Sequence, residues 1–189
     1  PLDDGPSKVH LLDLRTKIGE FLDVRNFMIV LKDEDIQRLD FRLHYELGLP
    51  RRRRWLPLDH GLVGYVIATN SNLFLPEGSS EFLKKHSRQR QGRASRTWLG
   101  VPLRVAERPI GALAVQSYRK SFAFTHKQAR LLEAIADTIA GAIQAAWVKE
   151  KEADAARRLP ACRLRSSADL HPPQSPRPEL PDLPGQRAR

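Results

Sequence analysis

WLGVPLRVAERPIGALAVQS, residues 98–117, reads as two apolar strands joined by a tight polar turn, and the rest of the chain can be hung on that hairpin. Residues 98–105 and 110–116 are the two runs, and Glu107, Arg108 and Pro109 form the expected turn. Pro102 sits inside the first run and cannot donate to a ladder, so it predicts a sheet edge or a bulge at that point. Gly100 and Gly111 mark places where the backbone bends or another group comes close.

Downstream, Thr125 with Gln128 three residues later is a capping-box signature, and Phe124 is placed to pack on the first turn. Leu132, Ile135, Ile139 and Ile143 then make one helical stripe, widened by Leu131, Ala136 and Trp147. The helix has room to reach Arg158 before Pro160 ends it. Its last part, Lys149 to Arg158, is charged and shows no core face.

Upstream, residues 8–22 carry Leu11, Leu12, Leu14, Ile18, Phe21 and Leu22 at mostly helical spacing, with Ser7 as N-cap. Residues 26–31 read as a strand. Residues 38–47 set Leu39, Phe41, Leu43, Tyr45 and Leu47 against Arg38, Asp40, Arg42, His44 and Glu46, the pattern of a half-exposed strand. GLPRRRRWLP (48–57) reads as a loop, and Asp59 as the cap of a short helix over 61–68. Residues 72–75 make a brief strand, and 79–91 give one or two helical turns that fade into a basic loop. The order predicts an α+β fold: an antiparallel sheet with the terminal helices on one face and short helices and loops on the other.

WLGVPL, a turn, IGALAVQSY and the apolar helix with its LL and IA pairs resemble the C-terminal half of a GAF domain of the bacterial sensor type, found upstream of histidine kinases and diguanylate cyclases. NFMIVLKD (26–33) and GLVGYVIAT (61–69) extend the resemblance over most of residues 8–150. The expected organisation is a linker over 1–7, the domain over 8–150, a helix extension over 151–159 and a disordered Pro/Arg-rich tail over 160–189, which holds 7 of the 14 prolines.

A domain of this length buries enough surface to fold without a metal or disulfide. The single cysteine, Cys162, lies in the tail. The long helix is interrupted by Asp137 and Gln144, which argues against a membrane span, and PLDDGPSK has neither the basic nor the apolar region of a signal peptide, so a cytoplasmic location is expected. Of the net charge of +10, residues 51–100 hold ten basic against three acidic side chains. A nucleic-acid role would use that excess, yet no recognition helix or repeated aromatic platform accompanies it, and a charge run between strands reads first as a solvated loop.

Catalysis is not expected. No two of the six histidines show metal-ligand spacing, no phosphate-binding or nucleophile-elbow motif is present, and Asp59 beside His60 reads as a helix cap with the two side chains pointing apart. GAF domains that attach a bilin or reduce free methionine sulfoxide use cysteines within the domain, and this one has none. No metal or cofactor is expected, although an axial-histidine haem with His44 or His60 stays open.

The resemblance implies a small-molecule pocket between the sheet and residues 58–91. By strand alternation Phe27, Ile29, Leu31, Leu113 and Val115 face the terminal helices, while Met28, Val30, Ala112, Ala114 and Gln116 face the pocket. Met28, Tyr65, Phe74 and Trp98 are the candidate walls and His44 and Gln116 the candidate polar contacts. Leu132, Ile135, Ile139 and Ile143 form the candidate dimer and relay helix. The expected function is a regulatory sensor that binds a small molecule, dimerises and signals to a downstream kinase or cyclase; the alternative is a ligand-free dimerisation and relay module.

Overall fold

The computed structural model describes residues 6–89 and 92–158. In chain order the elements are α1 (Pro6–Gly19), β1 (Phe27–Asp33), β2 (Arg38–Glu46), β3 (Leu49–Pro50), β4 (Trp55–Pro57), α2 (Gly61–Thr69), β5 (Leu73–Leu75), α3 (Ser79–Lys85), β6 (Thr97–Val105), β7 (Arg108–Ser117) and α4 (His126–Arg158). The strands form one antiparallel sheet in the order β3-β2-β1-β7-β6-β5, with β4 also on β2, and the fold is α+β as expected. The chain divides into two units between Glu152 and Ala153. The expected tail over 160–189, with Cys162, lies outside the described residues, as do residues 1–5 of the expected linker. Helix α1 begins at Pro6, so Ser7 is inside the helix rather than its cap.

The hairpin closes more tightly than its sequence suggests. Pairing between β6 and β7 runs to Val105↔Arg108, which leaves Ala106 and Glu107 as a two-residue turn with φ of 47° and 61°. Left-handed backbone at both positions is what matches the twist of the flanking strands. β5 pairs with β6 only through Trp98, Leu99 and Gly100, so Pro102 lies past the end of that partner, where β6 is an edge. A register shift follows between Leu103 and Arg104.

Alternation along β1 and β7 sorts side chains into two cores. Phe27, Ile29, Leu31, Leu113 and Val115 pack with Leu11 and Ile18 of α1 and Leu132, Ala136 and Ala140 of α4. Met28, Val30, Ala112 and Ala114 pack with Leu62, Val63, Val66 and Ile67 of α2. Both assignments follow the sequence. In α4 the line against the sheet is Leu132, Ala136 and Ala140, all fully buried, while Ile135, Ile139 and Ile143 are half-buried beside it. Small alanines let the helix approach where isoleucines would hold it off. Helix α4 also contains an 18-residue window of mean hydropathy 1.3, apolar enough by length and composition alone to cross a membrane, a test that the core helix of a soluble protein passes as well.

The largest departure is in β2. Ile29 pairs with Leu43 but Val30 pairs with Phe41, so Arg42 is the extra residue of a bulge. Parity changes there: Leu39 and Phe41 belong to the α2 side, and Leu43 and Tyr45 to the α1/α4 side. The strand is buried on both faces, with Asp40 at 1% and His44 at 9% exposure, instead of half-exposed.

The capping box forms, with Gln128 N donating to Thr125 Oγ1 (3.3 Å) and Thr125 N to Gln128 Oε1 (2.9 Å). Thr125→Ala is expected to cost about 1 kcal/mol. Replacing Ala106 and Glu107 by Asn and Gly, which adopt positive φ with less strain, is expected to raise stability by about 1 kcal/mol. Urea denaturation reads both, as a shifted midpoint with an unchanged slope.

Candidate functional site

Where α2 and residues 92–95 stand off the sheet, a cavity of about 120 Å³ remains. Met28 and Trp98 contribute its apolar floor, with Phe41, Leu56, Leu62 and Leu83 around it. The indole of Trp98 lies over Gly100, where an added Cβ would come within 2.2 Å of the ring. A glycine is required there by close approach.

Of the candidate ligand contacts, Met28, His44, Trp98 and Gln116 line this cavity and Tyr65 and Phe74 do not. Phe74 pairs with Leu99, which points to the terminal helices, so alternation carries Phe74 to that side, where its ring meets His126 edge-on at 5.0 Å. Tyr65 turns to α3 instead, its ring 4.9 Å from both Phe82 and His86. Ala112 and Ala114 do not leave open space, because α2 packs onto them.

The polar wall is richer than the sequence reading. Glu46 accepts from Arg51 (2.8 Å) and from the Tyr118 hydroxyl (3.0 Å), and Gln116 Nε2 donates to that hydroxyl (2.9 Å). Burial, reinforced by Glu46, holds the Tyr118 hydroxyl above its ordinary pKa. Of the three buried side-chain nitrogens that lack a hydrogen-bond partner among the described residues, His44 Nδ1 and Arg54 Nε belong to this wall, and the third is Arg15 Nε. Burial, with Arg54 nearby, pulls the His44 ring down to about 4, and burial also lowers Arg54, partly offset by Glu46.

The expected solvated loop of arginines is engaged instead. β4 pairs Leu56 with Leu39 and Trp55 with Asp40, so Arg54 shares the cavity face with Leu56, while Arg53 shares the opposite face with Asp40. Arg54 lies 4.4 Å over the Phe41 ring. Arg53 makes two bonds to the buried carboxylate of Asp40 (2.9 and 2.6 Å) and approaches Glu150 of α4 at 3.7 Å. Arg42, on the same side as Asp40, binds Glu150 directly. Lys151 reaches Asp33 at 3.1 Å and also Asp35, so the part of α4 that showed no core face is held by ion pairs.

Asp59 and His60 do not point apart: Oδ1 and Nδ1 are 3.0 Å from each other, which lowers the Asp59 pKa. His60 is the N-cap residue of α2 and borders the cavity, and no side-chain cap bond is made there. Asp59 is 80% exposed, so the pair sits at the rim with its carboxylate in water. Among the described residues no group of three His, Cys, Asp or Glu side chains is placed to hold a metal. Arg54, Glu46, Arg93 and Tyr118 were missed as cavity residues. The signal that selects Arg54 from its neighbours is the β2–β4 register, which no local pattern carries.

The sequence model of the GAF domain family matches residues 11–143. Among solved structures the chain is similar to the GAF domain of a phosphoenolpyruvate-protein phosphotransferase from Acinetobacter (20% identity, 77% of this chain and 87% of that one, TM-score 0.59). It is similar also to the second GAF domain of DevS from Mycobacterium smegmatis (16%, 77% and 99%, 0.55). A third is the free methionine-R-sulfoxide reductase from Neisseria meningitidis in complex with its substrate (19%, 76% and 81%, 0.56). At these identities the likeness is one of fold. No curated protein matches the sequence.

Because His44 is harder to protonate folded than unfolded, the unfolded chain binds the extra proton between its ordinary pKa of 6.5 and about 4. Stability contributed by His44 is therefore complete above pH 6.5 and falls as pH drops to 4, with a slope approaching one proton. Urea titrations across that range should show the slope, and His44→Gln should flatten it. Gly100→Ala should displace the Trp98 indole at a cost of roughly 1–3 kcal/mol, read by denaturation and a red shift of tryptophan emission.

Proposed function

This chain belongs to the GAF domain family, and from that premise we propose that it is a cytoplasmic sensor domain of bacterial signal transduction, taking a small molecule into the cavity beside α2 and relaying occupancy through α4. The family is a regulatory one, and the matched segment carries no cysteine for redox chemistry, which supports a non-catalytic role.

One observation carries the reading. β2 and the segment leading into β4 face the cavity on one side and the C-terminal helix on the other: Phe41, His44 and Arg54 point inward, while Arg42 and Arg53 are tied to Glu150. Arg53 and Arg54 are neighbours in the chain, so a ligand that moves the backbone at Arg54 acts on the bonds of Arg53. A ligand shifts a signalling equilibrium only by its difference in affinity between two states. Contact at Arg54 is where such a difference reaches α4. The relay then acts on the packing of α4 against a second copy through the half-buried Ile135, Ile139 and Ile143, with Leu132 held in the protein's own core, and on a downstream kinase or cyclase.

Thermal denaturation against a metabolite library, followed by amide hydrogen exchange, tests this. The expected result is a compound that raises Tm and alters exchange in residues 143–158. Glu150→Gln should keep the Tm response and lose the change in α4, at a stability cost of roughly 1–2 kcal/mol for the weakened ion cluster. A flat response across the library, with a dimer by light scattering, would instead favour the ligand-free dimerisation and relay module.

A further inference from the structure

We propose that the ligand is a small organic monocarboxylate with a compact apolar end, its carboxylate held by Arg54 and the His44 ring and its apolar part lying on Trp98 and Met28. This rests on the sensor reading and narrows it to a chemical class.

The charges on the cavity wall select the head group. Arg54 makes no ion pair among the described residues, and its Nε is buried without an acceptor. The nearest carboxylate, Glu46, is already taken, one oxygen by Arg51 and the other by the Tyr118 hydroxyl. An unpaired guanidinium beside a buried imidazole nitrogen with no partner is a vacancy for an acceptor, and the planar fork of arginine matches a carboxylate in two parallel bonds. Phe41 lies beneath the guanidinium and restrains it on the cavity wall. Arg93, whose guanidinium lies 5.2 Å from the Tyr118 ring centroid, adds positive potential at the opening and disfavours a cationic ligand.

A single negative charge fits better than two. His44 is uncharged near neutral pH because burial lowers its pKa to about 4, and Arg54 is the cation beside it on the lining, Arg51 being already paired with Glu46. A phosphate dianion would bring its second charge against Glu46. The other dimension is size: 120 Å³ is close to the ~150 Å³ of an apolar cavity that admits benzene. A ring or a short alkyl chain therefore completes the ligand, with Trp98 and Met28 as its seat.

Isothermal titration calorimetry on the full chain, with phenylacetate against phenylacetamide, hexanoate against hexanamide, and inorganic phosphate, tests the class. Each carboxylate should bind at least tenfold more tightly than its amide, and more tightly than phosphate. Arg54→Met, which keeps the stem over Phe41, should abolish the preference for the carboxylate over its amide, and Arg54→Lys should restore part of it. The carboxylate and amide comparison needs no variant, so it stands even where Arg54→Met folds poorly. Amides binding as well as the acids, or phosphate binding better, would overturn the monocarboxylate assignment and leave the sensor reading in place. If no probe binds, the assignment fails; if the metabolite library is flat as well, the sensor reading fails with it.

Discussion

One constraint governs this molecule: successive side chains of a strand point to opposite faces, so a single sheet must serve two interiors at once. β1 and β7 lie side by side at its centre, with Phe27 to Leu31 against Gly111 to Val115, and their residues alternate between the terminal helices and α2 without a break. A slip of one residue would exchange the two cores completely. Leu113 and Val115 on one side and two alanines on the other give the faces different volumes. The alanine side accepts α2 in close contact, and the cavity remains only where that helix ends its cover.

Much of this was legible because it depends on short-range pattern. The hairpin, the capping box at Thr125 and Gln128, and the faces of β1 and β7 follow from local periodicity, and the edge at Pro102 follows from its missing donor. What local pattern could not carry was the bulge. Residues 38–47 alternate without interruption in the text, yet the ladder inserts Arg42 as an extra residue and reverses parity halfway along the strand. Phe74 failed for a related reason: its face is set by pairing with Leu99, which is distant in sequence. Arg53 finds its partner Glu150 near the far end of the domain, so a run of four arginines looks the same in sequence whether solvated or bound.

The bulge also explains how opposite chemistries share one strand. Without the extra residue, His44 would stand on the same face as Asp40 and Arg42, among ionised groups against α4. With it, His44 joins Phe41 over the cavity, their rings 5.6 Å apart, in surroundings that strongly disfavour its charged form. Bulges re-aim side chains in this way while most of the ladder is kept. The one inserted residue thus separates the ionic interface on one face of the sheet from the cavity on the other.

The ionic interface supplies something the apolar packing of α4 lacks. Leu132, Ala136 and Ala140 set how closely the helix lies on the sheet, but the two alanines offer little relief to decide where along its axis it rests. Removing two charges from water offsets much of what their pairing returns, so the buried cluster at Asp40 is weak evidence for added stability. Its geometry is specific where alanine packing is smooth. Asp40 orients Arg53 and Arg42, both converge on Glu150, and Lys151, the next residue, is taken by Asp33 and Asp35 from the neighbouring turn. A helix displaced by one turn would bring Leu132 or Gln144 to a place now held by alanine and would lose every one of these partners. The ion pairs of Glu150 and Lys151 therefore fix where along its axis α4 rests on the sheet.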